Sequence, residues 1–369
     1  MSQILSSGPR LQDIRKHLET RGFSKPVESL REFIDVVKAI TDRWQEEDWR
    51  RIETNDEYLL NSARIVGQVW FRGHSTPNLS LRPGLYREST FNNLKKLDNS
   101  PTPSDSKNIL IDELFDLELD LRIDFTSYGR LLNPANEAKS SADWYFLMQH
   151  HGAPTRLLDW TTNALASLFF CVQEHQPSRE RSTSANVPKK AKIAIWMLDA
   201  YWLADRLSDT WFAPLLAWSA DADRYIPPLE ALIDKREDTR ALFPTHAMPI
   251  EPPALHPRVA AQEGRFIIFG QTMDLLDERI RLKPLASGKE LEELRLHQIQ
   301  FEVADIDALL RELAQLGISR RTLFPDLAGL ADFVTWKHFH KVCGFGPSAP
   351  QSKKTKQSKR PALRTAKAR

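Results

Sequence analysis

Apolar side chains recur every three or four residues in several stretches of the chain, and this spacing predicts amphipathic helices. The first such set consists of Leu30, Phe33, Ile34, Val37 and Ile40. Ser29 precedes this set and is the predicted N-cap, since its hydroxyl can accept from a free amide of the first turn. The same spacing predicts helices over 109–128, 202–216, 305–316 and 327–339.

Runs of β-branched and aromatic residues predict buried strands between these helices. They lie at 63–73, 192–199 and 296–301, and within 258–270 after a turn. The many prolines of 227–257 forbid long regular structure, so we expect an irregular surface excursion there. Helices and strands in this order predict an α/β (α+β) fold, with a mixed central sheet and helices packed against it.

The stretch 144–172 combines two apolar helical patterns with the polar turn Gly152-Ala153-Pro154-Thr155 between them. Glycine and proline end the first helix, and we expect Asp159, Thr161 and Thr162 to cap the second. Five polar residues crowd into ten positions of this stretch: His150, His151, Thr155, Arg156 and Asp159. Such a density either satisfies backbone groups at two helix ends or faces a ligand, and the sequence leaves both interpretations open.

Length and composition bound the class of protein. The 369 residues suffice for one large domain, which we predict over 27–345, between a flexible N-terminus at 1–26 and a disordered tail at 346–369. A content of 41% hydrophobic and 27% charged residues is typical of a soluble globular protein, and no apolar run reaches the roughly 20 residues of a membrane span. The first ten residues lack a secretory signal, and two cysteines are too few for a disulfide framework. We therefore expect a cytoplasmic protein without a membrane partner.

The formal net charge of +2 hides an uneven distribution. Eight basic residues and no acidic one lie within Lys353–Arg369, so residues 1–349 alone carry a net charge of −6. Because a basic tail attracts the phosphates of nucleic acid, this segment is a predicted nucleic-acid contact. The alternative is a solvated tail without a partner.

Four separated motifs resemble the FRG-domain family. They are Trp70-Phe71-Arg72-Gly73, the run from His151 to Thr161 (HGAPTRLLDWT), the run from Arg258 to Phe266 (RVAAQEGRF), and Leu323-Phe324-Pro325-Asp326-Leu327. The resemblance covers roughly residues 27–340, and the HGAPTRLLDWT run is its most specific part. It implies a cytoplasmic domain of mostly bacterial and phage proteins, and it supplies no mechanism. We expect a context of phage defence or toxin-like modification.

The first motif is also similar to a signature of ADP-ribosyltransferases, in which a strand-end arginine holds a phosphate or ribose of NAD. Arg72 fits this role, since a guanidinium is always charged and donates in a bidentate fork. In that scheme Thr161 or Thr162 takes the middle position, and Gln262 or Glu263 the third, with a carboxylate stabilising a sugar cation as nicotinamide leaves. The chain lacks the usual Ser-Thr-Ser strand and Glu-x-Glu pair. The alternative is that Arg72 pairs with a carboxylate at the core edge.

We therefore predict an enzyme that uses NAD as its substrate or cofactor and transfers ADP-ribose to a protein acceptor or to water. The predicted catalytic residues are Arg72, Gln262 and Glu263. The predicted substrate-binding residues are His151, Thr155, Arg156, Asp159, Thr161 and Arg258. Of these, we expect Arg72, His151, Thr155, Arg156, Asp159 and Gln262 to lie around one cleft, because polar groups at strand ends and turns need each other or a ligand.

Two other functions remain open. A metal-dependent hydrolase would gather His150, His151 and Asp159 with His74 or His256. Adjacent histidines of a helix point about 100° apart, so at most one of the pair can share a site with Asp159, and we predict no metal. In a sensing module, phosphates would be bound by Arg72, Arg156 and Arg258 without catalysis. Cys171 lies in an apolar helical pattern and is predicted to be an inert core thiol.

Overall fold

The computed structural model describes most of the predicted domain. The described residues are 26–53, 69–87, 90, 106–132, 138–175, 190–207, 213–233, 243–253, 256–271 and 295–339. The predicted flexible N-terminus, apart from residue 26, and the predicted basic tail lie outside these residues.

Seven strands form one mixed sheet. They are β1 (Val69–His74), β2 (Leu157–Thr161), β3 (Ala191–Asp199), β4 (Leu215–Leu216), β5 (Met248–Glu251), β6 (Gly264–Ile268) and β7 (Leu296–Val303). Their order across the sheet is β4-β5-β6-β2-β1-β3-β7. Only β4 and β5 pair in parallel, and the other neighbours are antiparallel. The predicted mixed central sheet is therefore confirmed, with β1 and β2 side by side near its middle.

Ten helices accompany the sheet in the described part of the chain. They are α1 (Leu30–Glu53), α2 (Ser106–Leu132), α3 (Ser141–His150), α4 (Ala164–Gln173), α5 (Ala200–Leu207), α6 (Leu229–Ile233), α7 (Pro257–Ala261), α8 (Ile306–Gln315), α9 (Arg320–Leu323) and α10 (Leu327–Phe339). The predicted α/β class is confirmed. None of these helices combines the length and the hydropathy that a membrane span needs.

The helices cover both faces of the sheet. Successive side chains of a strand point to opposite faces, and β3 shows the result. Ile193, Ile195 and Met197 join an apolar cluster that α1, α4 and α8 cover. Trp196 and Leu198 join a second cluster with residues of α2 and α5. A sheet buried on both faces leaves polar side chains at the strand ends as the exposed chemistry.

The stretch between α3 and α4 differs from the prediction. The polar turn is followed by strand β2, which pairs with β1 on one side and β6 on the other. The N-cap of α4 is Asn163, whose side chain accepts from the amides of Leu165 at 3.1 Å and Ala166 at 3.0 Å. The expectation that Asp159, Thr161 and Thr162 cap this helix is therefore wrong, because those residues lie in or directly after a strand.

Two further predictions need correction. The predicted helix over 202–216 is the shorter α5, and strand β4 lies at its far end. The proline-rich region 227–257 is more regular than expected, since it contains α6 and β5. Proline is usually confined to edge strands, yet Pro249 lies in β5, which has neighbours on both sides.

Candidate functional site

A cleft of about 620 Å³ opens at the ends of β1 and β2, between α3, α4 and α7. Its volume lies within the range of roughly 300–1,000 Å³ that small-molecule sites occupy. Polar side chains from several separate parts of the chain line it, and they include Arg72, Arg87, Gln149, Asp159, Arg258 and Gln262. The predicted cleft therefore exists, although its membership differs in part from the prediction.

Arg72 is the fixed cation of this cleft. Its Nη1 donates to the carbonyl oxygen of Asp159 at 2.6 Å and lies 3.7 Å from a carboxylate oxygen of the same residue. Its Nε donates to Nε2 of His74 at 3.2 Å. Burial lowers the pKa of Arg72, and the negative charge of Asp159 opposes that effect. Nη2 forms no hydrogen bond within the described residues, so a held guanidinium keeps one donor nitrogen for a ligand.

His74 supports Arg72 from inside the sheet. Burial, and then the positive charge of Arg72, lower the pKa of His74 to about 3, so the ring is neutral at pH 7. A neutral imidazole accepts at one nitrogen only. Trp196 Nε1 also lies 3.3 Å from Nδ1, but the charged guanidinium is the stronger donor, which assigns the acceptor role to Nε2. His74 thus helps to position Arg72.

Gly73 allows β1 to lie close against α4. A Cβ atom at this position would stand 2.2 Å from the carbonyl oxygen of Ser167 and 2.4 Å from Sγ of Cys171. No side chain fits at those distances. Cys171 itself is buried, and burial raises the pKa of its thiol. The prediction that Cys171 is a core thiol is confirmed.

Asp159 is the carboxylate beside Arg72 in the cleft, and its side chain is 55% exposed. Its Oδ1 accepts from Nε2 of Gln149 at 2.8 Å. Gln149 in turn accepts from Oγ1 of Thr155 at 2.5 Å. This chain of hydrogen bonds connects the turn after α3 to Arg72 and fixes the carboxylate on the cleft wall.

The opposite wall comes from the segment around α7. Nε2 of Gln262 donates to the carbonyl oxygen of Leu323 at 3.0 Å. The guanidinium carbon of Arg258 lies 4.3 Å from the ring centroid of Phe324, and Arg258 forms no ion pair within the described residues. Burial lowers the pKa of Arg258, with the charge of Asp326 opposing. Two motifs that are distant in sequence therefore meet at this wall.

Arg156 does not belong to the cleft. Its side chain is 0% exposed, and its Nε lies 2.8 Å from Oε2 of Glu118. Its Nη1 donates to the carbonyl of Phe269 at 2.6 Å, and Nη2 donates to that of Tyr225 at 2.7 Å. Burial lowers the pKa of Arg156, but the charge of Glu118, the nearby Tyr145 and Tyr86 and the hydrogen bond to Glu118 together raise it. The predicted substrate-binding role of Arg156 is corrected, because every donor nitrogen already has an acceptor in the core.

Thr155 and Thr161 also face the protein. Thr155 is fully buried, outside the cleft lining, and its Oγ1 accepts from the amide of Leu157 at 3.1 Å. Thr161 borders the cleft, but its hydroxyl donates to the backbone carbonyl of Gln262 at 2.6 Å. Their hydroxyls hold the loops that form the cleft, and neither points to a substrate.

His151 and Glu263 lie outside the cleft lining. His151 is exposed, and its neighbour His150 lines the cleft in its place. Glu263 is exposed and accepts from Thr162 Oγ1 at 2.7 Å and from Asn163 Nδ2 at 3.2 Å. Gln262 and Glu263 were the two candidates for the third motif position. The structure places Gln262 in the cleft lining, whereas Glu263 lies outside it and links its own loop to the one before α4 by hydrogen bonds.

The structure adds a histidine pair that the sequence did not single out as a pair. The ring centroids of His150 and His256 are 3.9 Å apart in the cleft. His256 caps α7 by accepting from the amide of Arg258 at 3.2 Å, and burial followed by the charge of His256 lowers the pKa of His150 to about 4. Within the described residues, no group of three histidine, cysteine or acidic side chains is placed to hold a metal ion. The hydrolase alternative thus has no ligand set there.

The mixed sheet and the polar cleft at its central strands define an α/β protein with a ligand-sized site. Residues 67–180 match the family model of the FRG domain. No curated protein and no solved structure shows a significant match to the chain. The matched residues include Arg72 and Asp159, while Arg258 and Gln262 follow beyond them.

Proposed function

We propose that the cleft binds a phosphate-bearing nucleotide and that NAD is the first candidate. The observation that carries this proposal is the guanidinium of Arg72, held at the cleft wall by Asp159 and His74 with Nη2 left over. Guanidinium groups suit phosphate because they are permanently charged and donate in a fork. A pre-positioned donor also loses little side-chain entropy on binding.

Other features of the cleft support a dinucleotide. Arg87 and Arg258 give two more cations in the same lining, enough for a diphosphate. The aromatic ring of Phe170 borders the cleft and offers a surface on which a base can stack. The cleft volume of about 620 Å³ suits a ligand with several rings.

The proposed reaction is cleavage of the bond between nicotinamide and the ribose C1′ of NAD, in an ADP-ribosyltransferase-like or NAD-hydrolysing enzyme. Nicotinamide leaves with the bonding electron pair, and a carboxylate stabilises the sugar cation. We assign that carboxylate to Asp159 because it lies in the cleft lining beside Arg72, whereas Glu263 lies outside that lining. A hydroxyl of a protein acceptor, or water, then bonds to C1′ and loses its proton. Gln262 is proposed to orient the ribose.

A second candidate is binding without turnover, in a phosphate-sensing module. The observation that favours it is the hydrogen bond of 2.8 Å from Gln149 to the Asp159 carboxylate, which already occupies one acceptor oxygen. Sensing needs the arginines but no carboxylate for the sugar cation.

The test measures NAD binding by calorimetry together with release of labelled nicotinamide and transfer of labelled ADP-ribose to protein and nucleic-acid acceptors. Arg72→Ala is expected to weaken NAD binding, while Asp159→Asn is expected to abolish turnover and retain binding. Glu263→Gln is the matched control outside the cleft. Binding without turnover in the wild-type protein would select the sensing module, and absence of NAD binding would end the proposal.

A further inference from the structure

A second, smaller pocket lies on the face of α3 opposite to the cleft, with a volume of about 90 Å³. Side chains at helical spacing border it, namely Ser141, Trp144, Tyr145 and Met148. A different set from the same helix borders the cleft: Asp143, Phe146, Leu147 and His150. One helix therefore separates the two pockets.

The small pocket is built mainly from cationic and hydroxyl groups. Arg122, Arg130 and Lys139 line it, and Glu230 is the one carboxylate among the described lining residues. Three cations against one anion in so small a space repel each other unless a negative charge joins them. The charge of the lining therefore favours an anionic ligand.

Arg122 gives an independent sign of a missing ligand. Its residue is 2% exposed, and its Nη2 donates to the carbonyl of Pro227 at 2.6 Å. Its Nη1 is buried and has no hydrogen-bond partner among the described residues. Burial lowers the pKa of Arg122, and the charge of Glu118 opposes that effect. A buried charged donor without an acceptor is costly, so an oxygen atom brought by a ligand would satisfy it.

The start of α3 adds backbone donors. A capping box closes part of this helix end, since Ser140 Oγ accepts from the amide of Asp143 and the Asp143 carboxylate accepts from the amide of Ser140. The amides of Ser141 and Ala142 lie in the first turn, where N–H groups have no partner inside the helix. These amides and the helix dipole attract an anion.

We propose that this pocket binds a single tetrahedral oxyanion, namely phosphate, either as the free ion or as the terminal group of a phosphate monoester. Nη1 of Arg122 and the first-turn amides of α3 bind its oxygens, while Arg130 and Lys139 close its mouth. The volume of about 90 Å³ is far smaller than the 620 Å³ of the cleft and suits a ligand as small as one phosphate group. The site is thus separate from the nucleotide cleft, and its occupancy does not depend on the function proposed for that cleft.

The experiment titrates the full chain, without NAD, with inorganic phosphate and with glycerol 3-phosphate. Chloride at matched ionic strength is the control, and thermal unfolding and calorimetry give the readouts. Phosphate is expected to raise Tm in a concentration-dependent way beyond chloride, because a ligand of the folded state stabilises it. Equal affinity for both compounds shows recognition of a terminal phosphate group, whereas binding of phosphate alone shows a site for the free ion.

Variants locate the binding. Arg130→Ala and Lys139→Ala remove exposed side chains that folding does not require, and each is expected to weaken phosphate binding about tenfold, as loss of one charged contact does. Arg122→Lys is expected to weaken it further. The exposed Arg224 lies outside both pockets, so Arg224→Ala is the matched control and retains binding. Loss of binding in Arg72→Ala with retention in Lys139→Ala would move the phosphate to the cleft and overturn the proposal, as would stabilisation no greater than that by chloride.

Discussion

Arg72 and Arg156 come from two motifs of the same family resemblance, and the structure gives them different roles. Arg72 lies on β1 and Arg156 lies directly before β2, and these two strands are neighbours at the centre of the sheet. The side chain of Arg72 is 14% exposed at the cleft wall, whereas that of Arg156 is 0% exposed against Glu118. Both were predicted to bind phosphate.

The difference lies in how many donors the protein itself satisfies. Nε, Nη1 and Nη2 of Arg156 all donate to acceptors in the core, one of which is a buried carboxylate. Nε and Nη1 of Arg72 donate within the protein, whereas Nη2 has no acceptor among the described residues. A motif arginine therefore indicates a binding site only where the fold leaves it an unused donor, and the predictions below test that distinction.

Arg156→Met is expected to have the largest effect on stability. It leaves the buried Glu118 without its cation, and breaking a buried ion pair typically costs about 3–5 kcal/mol. Urea unfolding at pH 7 measures the free energy of unfolding. Arg72→Met is the matched control and should cost well under half as much, since a ligand-binding arginine contributes less to the core. Equal losses for the two variants would remove the distinction.

The coupling between the two buried charges can be measured separately. Glu118→Leu combined with Arg156→Met is expected to cost less than the sum of the two single losses, since no buried carboxylate is left without its cation. Glu118 also accepts from Tyr145 and faces the charge of Arg122, but losing these contacts is common to both Glu118 variants and cancels in the comparison. A double-mutant cycle gives the interaction energy. Strict additivity of the two single losses would show that the ion pair is not what makes Arg156 structural.

Gly73→Ala is expected to cost about 1–3 kcal/mol, as overpacking of a core does. The added Cβ would meet the backbone oxygen of Ser167 at 2.2 Å, so β1 and α4 must move apart. Gly152→Ala is the control, because Gly152 has a φ of +84° but none of the described residues has an atom within 4 Å of the added Cβ. Thermal unfolding of both variants separates close packing from backbone strain. A silent Gly73→Ala would contradict the close approach that positions Arg72.

The pKa of His74 predicts a pH dependence of stability. In the folded protein this pKa is lowered to about 3, from an ordinary value of 6.5, so the unfolded chain binds a proton that the folded protein does not. Stability is therefore full above pH 6.5 and is lost as the pH falls towards 3, by about 1.4 kcal/mol per pH unit. Urea unfolding between pH 7 and pH 5 gives the free energy of unfolding as a function of pH, and its slope should be smaller for His74→Gln than for the wild-type protein.

Other histidines contribute to the same slope. The pKa values of His150 and His297 are each lowered to about 4, chiefly by burial, so part of the slope persists in the His74 variant. His151→Asn, at an exposed ring, is the control for loss of a histidine as such. An unchanged slope in His74→Gln would mean that His74 is charged in the folded protein and does not accept from Arg72.

Arg72→Lys is expected to give the smallest effect. A lysine keeps the positive charge but loses the fork that holds the Asp159 carbonyl and a ligand at once. The expected result is about tenfold weaker NAD binding, equivalent to roughly 1.4 kcal/mol, with the urea midpoint nearly unchanged. Calorimetry measures the first quantity. Unchanged affinity would show that charge alone matters at this position and that the geometry of Arg72 does not.

The spacing of apolar residues predicted those helices and strands that carry a clear pattern in their own sequence. Helix α10 has the predicted bounds of 327–339, and β3 differs from its prediction by one residue. Strand β2 was missed because only Asp159 of its five residues is exposed, so the polar and apolar alternation of a half-buried strand is absent. Its apolar residues fit the helical patterns on either side equally well.

The cleft was predictable only in part, because partners decide a side chain's role and lie far away in sequence. The acceptors of Arg156 stand 38, 69 and 113 residues away, at Glu118, Tyr225 and Phe269. No local pattern shows those distances. Similarly, a step of one residue turns a helical side chain by about 100°, which places His150 in the cleft and His151 outside it.

The sheet order predicts how residues 67–180 would behave as an isolated polypeptide. Residues 67–180 contain β1 and β2, but the outer neighbours of these strands are β3 and β6, both beyond residue 180. A polypeptide cut to the matched residues would carry two long strand edges with unpaired N–H and C=O groups and an apolar surface on each face. Edges of that kind template association between chains, so the isolated segment is expected to aggregate, whereas the longer chain covers both edges with its own strands.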